Sequence, residues 1–340
     1  MATPAEIADE YINNLLKEGA NIPCDDTASS FEEGDILPQY YNEELLKKAK
    51  KFYYYYSNSI NTGNILGLLT VLTVPSILKI LIHTDKSSSN YTAYRRYLQT
   101  TFHVYTWYES DFSPNSRVWR SIKSVKRMHN AASASSNKAK MPRISQRDMA
   151  LTQFGFVGYV LLRSEKVGVH NTTKEDFEGF VHLWRIIGHI LGIEDRFNLC
   201  SGSVEEAIAK CAKMVEKVYL PNIRQNHLDF LQMSRYVIDG LRPVSPLLNY
   251  NAVLYYLRSL LSNEQEEDEY KKLSIREKCI VMIAQALMQA SKWSVVRWYL
   301  NLENYMRIWI IKHIPILAMY HYGFQKAFVT ILDNNEKKII

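Results

Sequence analysis

The stretch "ILGLLTVLTVPSILKILI", residues 65–82, decides the fold class. Eighteen positions, almost all apolar, nearly reach the ~20 residues that a membrane-crossing helix requires. Three residues argue against a span. Pro75 lacks the amide proton a continuous helix needs, Ser76 adds a hydroxyl, and Lys79 would place a charge in hydrocarbon. The segment is therefore expected to be a buried helix, kinked or broken at Pro75, with a shallow membrane contact as the alternative.

Outward from that stretch the chain reads as all-α. Of 340 residues, 47% are hydrophobic and 22% charged, an ordinary globular balance with enough apolar material for one large core. Only 13 glycines and 10 prolines are present, too few for the many tight turns of a barrel or sandwich. The periodicity predicts a helix over 4–18. A loop follows through "PCDDTASSFEEGD", then a second helix capped by Asn42 and carrying "FYYYY". Ser145 with Asp148 and Thr173 with Asp176 have capping-box spacing, and Gly192 is placed to end the helix that Thr173 begins. The expected organisation is an N-terminal helix and loop over 1–40 and a single all-α domain over 41–340. "SIREKCIVMIAQALMQASKWSVVRWYL" reads as one helix. "NYMRIWIIKHIPILAMYHYGFQKAFV" is apolar nearly all round and predicts either burial or a membrane-facing surface.

Composition narrows the chemistry. Four cysteines, Cys24, Cys200, Cys211 and Cys279, lie far apart without a C-x-x-C pair, which argues for reduced thiols and against a zinc site. "MATPAEIADEYINNLLKEG" is polar and acidic where a secretory signal is basic and then apolar, so a cytoplasmic location is expected, with the sequons at Asn90 and Asn171 unused. The net charge of +6 is concentrated in a run from Arg117 to Arg147 that contains no acidic residue. Without a nucleic-acid-binding motif, the run reads as a solvated face or as a contact for a small anion, and no nucleic-acid partner is expected. Searches for a dinucleotide fingerprint, a P-loop, H-E-x-x-H and G-x-S-x-G all fail. "EQEEDEY" near Glu266 lacks the D-D-x-x-D arrangement of a metal-binding helix and reads as a solvated loop or helix start.

What remains is histidine, arginine and aromatics on apolar helices. In "SPNSRVWRSIKSVKRMHNAAS", Ile122, Val125, His129 and Ala132 share one stripe, which turns His129 toward the interior. Arg96, Gln99, Thr100 and His103 share a face of the preceding helix that spans about 10 Å. A neutral imidazole in an apolar cleft suffices as an axial ligand for haem iron, and nearby Arg or Lys can meet the propionates. A core histidine with satisfied hydrogen bonds is the competing reading of the same pattern.

The order "RRYLQTT", "VKRMH", "SQRDMALTQFGF" and "HLWRIIGHILGIEDRFNLC" resembles the family that joins the rubber oxygenases, or latex clearing proteins, with the ER-bound oxygenase of mycophenolic acid biosynthesis. The resemblance covers roughly residues 60–260. It implies a globin-like helical core enclosing a b-type haem and an apolar tunnel, with dioxygen as co-substrate. The family pattern R-x-x-K-T is similar to Arg96, Gln99 and Thr100, and R-x-x-H to Lys126 and His129. By resemblance, His129 is the proximal haem ligand; Lys126 and Arg96 are cofactor contacts; Arg96, Gln99, Thr100 and His103 form the catalytic side. Two departures stand out. Gln99 replaces the lysine that caps the distal iron position, and the acidic base of the rubber-cleaving members has only Asp85 as its nearest counterpart. Phe154, Phe156, Tyr159 and Trp184 are placed either to line a tunnel or to pack the core. His182, Trp184, Arg185, Gly188 and Asp195 are expected to fix one helix and its end, with Asp195 pairing Arg185 or Arg196. The function implied is haem-dependent oxygenation of an isoprenoid or other unsaturated hydrophobic substrate, by oxidative C=C cleavage. The alternative is a non-catalytic haem- or lipid-binding protein on the same scaffold. Peripheral contact with the ER membrane surface belongs to the first reading.

Overall fold

The 65–82 stretch breaks at its proline. In the computed structural model, which describes residues 2–25, 37–109, 111–263 and 266–332, Pro75 is the first residue of a new helix set at 91° to the one before it. A proline fits there, since the first helical amide has no partner within the helix anyway. Leu66, Leu69, Leu72, Ile77 and Leu78 are buried in the core, and Lys79 points to solvent.

Sixteen α-helices lie among the described residues: α1 Pro4–Lys17, α2 Glu43–Val71, α3 Pro75–His83, α4 Asn90–Glu109, α5 Arg117–Lys138, α6 Gln146–Leu162, α7 Lys174–Leu191, α8 Val204–Met214, α9 Leu220–Arg224, α10 Leu228–Leu241, α11 Tyr250–Ser262, α12 Glu267–Lys272, α13 Ile275–Ala290, α14 Ser294–His313, α15 Ile316–Tyr322 and α16 Phe324–Ala327. No strand occurs among these residues, and only Pro23 and Ser145 form an isolated antiparallel bridge. The expected loop after α1 continues into 26–36, outside the described residues, as are Glu264 and Gln265 of the acidic stretch; Glu267–Lys272 forms the short α12. Caps fall where the sequence puts them. Asn42 accepts from the amides of Glu44 and Leu45, Ser145 and Thr173 each close a capping box, and Gly192 ends α7 with a left-handed φ of 101°.

α2 is the central element, packed most extensively on α6 and α7. Its contact with α6 is backbone to backbone: a Cβ added to Gly67 would lie 1.9 Å from the Gly155 carbonyl oxygen. Against α7, a Cβ on Gly179 would lie 2.8 Å from the Ala49 amide nitrogen. Small residues at both crossings let the helices approach closely and bury the apolar faces above and below. The same core takes in Tyr11, Ile12 and Leu15 of α1.

Two segments depart from the sequence expectation. "SIREKCIVMIAQALMQASKWSVVRWYL" is not one helix; it folds back by 119° between α13 and α14. Ser291 sits at the bend, its hydroxyl donating to the Met288 carbonyl at 2.7 Å and lying 2.8 Å from the Gly168 carbonyl, so its side chain bonds locally and to the backbone of the 165–168 turn in competition with helix continuation. α5 extends beyond "HNAAS" to Lys138, because Ser133 and Ser136 allow residues 142–144 to pack against it and bond to their hydroxyls.

α4 and α5 are tied by a buried polar knot. His103 Nδ1 lies 2.8 Å from the Ser121 hydroxyl, which also accepts from Trp107 Nε1 at 2.9 Å. Burial pushes the His103 imidazolium down to a pKa of about 4.

Two outcomes follow from these contacts. Gly67→Ala gains about 1 kcal/mol of helix propensity but forces α2 and α6 apart, and should lower stability by about 2 kcal/mol net. Gly63→Ala, whose new Cβ would meet Val160 at an ordinary 3.5 Å, should leave stability unchanged or raise it slightly; urea midpoints of both variants check the pair. Because the unfolded chain protonates His103 near pH 6.5 and the folded chain only near 4, stability should be lost as pH falls through that window, by on the order of 3 kcal/mol. Denaturation of wild type and His103→Phe at pH 7 and pH 4.5 measures it, the variant showing the smaller fall.

Candidate active site

α4 presents candidate residues on two faces. Toward α5 it offers Arg96 and His103; toward α2, α6 and α14 it offers Tyr97, Thr100, Thr101 and Val104.

His129 is the most unusual of the candidates. It is partly exposed as a residue, yet its Nδ1 is buried and makes no hydrogen bond among the described residues. Desolvation, helped by the nearby Arg96 charge, pushes its pKa down to about 4 and keeps the ring neutral. A buried ring nitrogen without a partner costs free energy that a satisfied core histidine avoids. Arg96 bonds weakly to the Ser87 hydroxyl at 3.5 Å, which leaves most of its donors uncommitted to described protein groups.

The other candidates are distributed differently. Lys126 is buried, and desolvation lowers its pKa to about 8; its charge acts on Cys24 and His189. Gln99 donates to the Thr330 carbonyl at 3.1 Å. The Thr100 hydroxyl bonds back to the Arg96 carbonyl at 3.2 Å, and its side chain lines a cavity. His103 belongs to the knot with Ser121. Asp85 is exposed in a left-handed turn at φ 54°.

The cavity, of about 140 Å³ and partly open, is lined by α2, α4, α6, α14, Leu241 at the end of α10, and Val244, Ser245 and Leu248 beyond it. Its walls are mainly apolar. Tyr97 lines it, and the Tyr97 hydroxyl is buried without a hydrogen-bond partner among the described residues. One end is polar: Asn304 accepts from Asn61 at 3.1 Å and from Arg307 at 2.8 Å. Neither His129 nor Arg96 lines this cavity, which reaches the Arg96 face only through Thr100, one turn along α4. Of the four aromatics expected at a tunnel or core, Phe156 lines it. Phe154 and Tyr159 pack in the core, and Trp184 stacks on Phe156 at 4.7 Å while donating to the Tyr108 hydroxyl.

Sequence reasoning missed the polar cavity end. Its signal was present as Asn58, Asn61 and Asn64 recurring inside an apolar helix and Asn301, Asn304 and Arg307 inside another. It also missed the roles of Gln146 and Gln153 in the first of the two long motifs, while the second fixes a helix and its end as expected, with Asp195 pairing Arg185. Gln153 donates to the Trp184 and Asn198 oxygens and accepts from the Leu199 amide; Gln146 bridges the Gly192 carbonyl and the Glu194 amide. Arg185 pairs with Asp195 through two bonds, at 2.9 and 2.7 Å, and lies over the Tyr40 ring. Gly188 leaves room for Gln153 and Asn198, which a Cβ would approach to 2.6 and 2.9 Å. These motifs clamp α6 to α7 and to the segment after it.

Among the described residues, no group of three or more His, Cys, Asp or Glu gathers to hold a metal ion, a requirement that a single axial imidazole does not share. Among the same residues, no single helix is long and apolar enough to cross a membrane. No curated protein matches the chain. Among solved structures, that of a latex clearing protein in its closed state is similar in fold, with a TM-score of 0.60 at 15% identity, covering 91% of this chain and 92% of that one. Residues 55–267, more than half of the sequence, match the family described as ER-bound oxygenase mpaB/B'/rubber oxygenase, catalytic domain, and the chain belongs to that family.

Proposed function

We propose that the protein is a haem b-dependent oxygenase of the dioxygenase type, acting through a single domain over 41–340 on an isoprenoid or other unsaturated hydrophobic substrate. The observation that carries the reading is the buried, unpartnered Nδ1 of a neutral imidazole on this family's helical scaffold. The residues fit the cofactor in kind: His129 offers an uncharged ring nitrogen and Arg96 a cation for a propionate. When bound, haem supplies the oxygen chemistry, and oxidative cleavage of a C=C bond is the reaction proposed.

The remaining work falls to side chains of this chain. The mainly apolar cavity walls suit an apolar chain by area, while the Tyr97 hydroxyl offers one hydrogen-bond donor to a polar atom carried by that ligand. Asn304 and Arg307 suit a polar terminus on the same molecule. Thr100 joins the cavity to the Arg96 face. A non-catalytic haem or lipid carrier on the same scaffold is favoured by one observation: the amide of Gln99, at the position of the family's distal lysine, is committed to Thr330.

Protein expressed with haem precursor should show a Soret band, and His129→Ala should lose it while keeping a wild-type circular dichroism spectrum. A colourless wild type that takes up no added haemin overturns the haem assignment. In the haem-loaded protein, long-chain unsaturated isoprenoids should stimulate oxygen uptake, and Tyr97→Phe should raise KM several-fold, one lost hydrogen bond being worth about 1 kcal/mol. Substrate binding without oxygen uptake would identify a carrier.

A further inference from the structure

α14 turns much of its polarity inward. Beside the buried Leu300 and Ile311, its inner side carries Arg297, Asn301 and Asn304, which bond to the Ser291 carbonyl, the Tyr55 carbonyl and the Asn61 amide at 2.9, 2.8 and 3.1 Å. Its solvent side carries Val295, Trp298, Tyr299, Leu302, Tyr305, Met306, Trp309 and Ile310, all exposed. These recur at i, i+3, i+4 and i+7, so they form one stripe about 22 Å long. Trp298 is 65% exposed, and Tyr320 on the adjoining α15 is 85% exposed. A water-facing helix of a soluble monomer has the opposite arrangement, and an apolar surface this continuous marks a contact site.

We infer that the outward face of α14, continued by α15, docks on the surface of an anionic lipid bilayer. Three observations choose this occupant. Tryptophan and tyrosine alternate with aliphatic residues, the composition that settles at the boundary between headgroups and acyl chains. Between Cys279 and Leu332 the only acidic residue is Glu303, against Lys292, Arg297, Arg307, Lys312 and Lys326; Lys292, Lys312 and Lys326 are exposed. A second copy meeting this face by two-fold symmetry would bring the same positive surface against itself. Finally, α13 and α14 together have the length and hydropathy of a span but fold back by 119°, a shape that lies on a bilayer rather than crossing it as one rod. The inner side of α14 supplies Asn304, Arg307 and Ile308 to the cavity wall, so a single helix separates the lipid surface from the apolar cavity. Delivery of a membrane-dissolved substrate through that wall rests on the oxygenase reading; the docking itself does not.

Sedimentation with phosphatidylcholine vesicles, with and without phosphatidylserine, tests the docking without haem or substrate. The full chain should pellet with the anionic vesicles, its tryptophan emission shifting to shorter wavelength. Trp298→Ser/Trp309→Ser should bind about tenfold more weakly or worse, with unchanged circular dichroism and melting because both rings lie outside the core. Lys312→Glu should weaken binding to the phosphatidylserine vesicles alone. The proposal is overturned if the wild type stays in the supernatant with both vesicle types, or if the tryptophan variant pellets as well as wild type. It is equally overturned if light scattering shows a dimer that the variant separates while vesicles are ignored, since the stripe would then join two copies.

Discussion

The contact between Gly67 and Gly155 is the constraint on which the rest of the molecule depends. A side chain at Gly67 would run into the carbonyl of Gly155, so α2 and α6 can meet at this distance only because Gly67 lacks a Cβ. That approach fixes α6, and α6 in turn carries Gln146 and Gln153, whose amides hold the end of α7 and the segment beyond it. The same two helices form two walls of the apolar cavity. A packing detail at one crossing thereby sets the width of that cavity.

Buried polar groups divide into two kinds here. Gln146, Gln153, Asn198, His103 and Ser121 are satisfied by one another or by backbone, and their effect is to specify one arrangement of α4, α5, α6 and α7. The His129 Nδ1 and the Tyr97 hydroxyl have no such partner among the described residues. Leaving a buried polar atom unpaired costs about 1–3 kcal/mol, and native structures keep few of them. Two on neighbouring helices, one at an imidazole and one in the wall of an apolar cavity, are the pattern expected where ligands complete the hydrogen bonding and coordination.

Much of this was legible in the sequence. The break at Pro75, the caps at Asn42, Ser145 and Thr173, and the inward stripe holding His129 follow from local rules that tertiary packing did not override. What was hidden was long-range. That Gly67 faces Gly155, that Gln99 reaches Thr330, and that Thr100 rather than Arg96 lines the cavity depend on how helices distant in sequence cross. The apolar C-terminal stretch was ambiguous for a related reason. Hydropathy reports that a face is apolar but not which way it is turned, and the turn of α14 is set by Asn301 and Asn304 finding partners on α2.

The division of α4 into two faces also bears on how the chemistry is arranged. His129 approaches from α5 and meets Arg96, while the cavity opens on the opposite side and touches Tyr97, Thr100 and Thr101. In the reading proposed above, a cofactor at the first face and an apolar chain at the second would meet nearest Thr100, which lines the cavity and donates its hydroxyl to the Arg96 carbonyl. Gln99 lies next to that residue and donates to the Thr330 carbonyl, which ties this position of α4 to the C-terminal segment. That segment follows the exposed face of α14 and α15. The Gln99 side chain is thus bonded to the segment whose Ala327 and Val329 pack with Ile311 of α14 and Ala318 of α15, the helices whose outward face we assign to lipid.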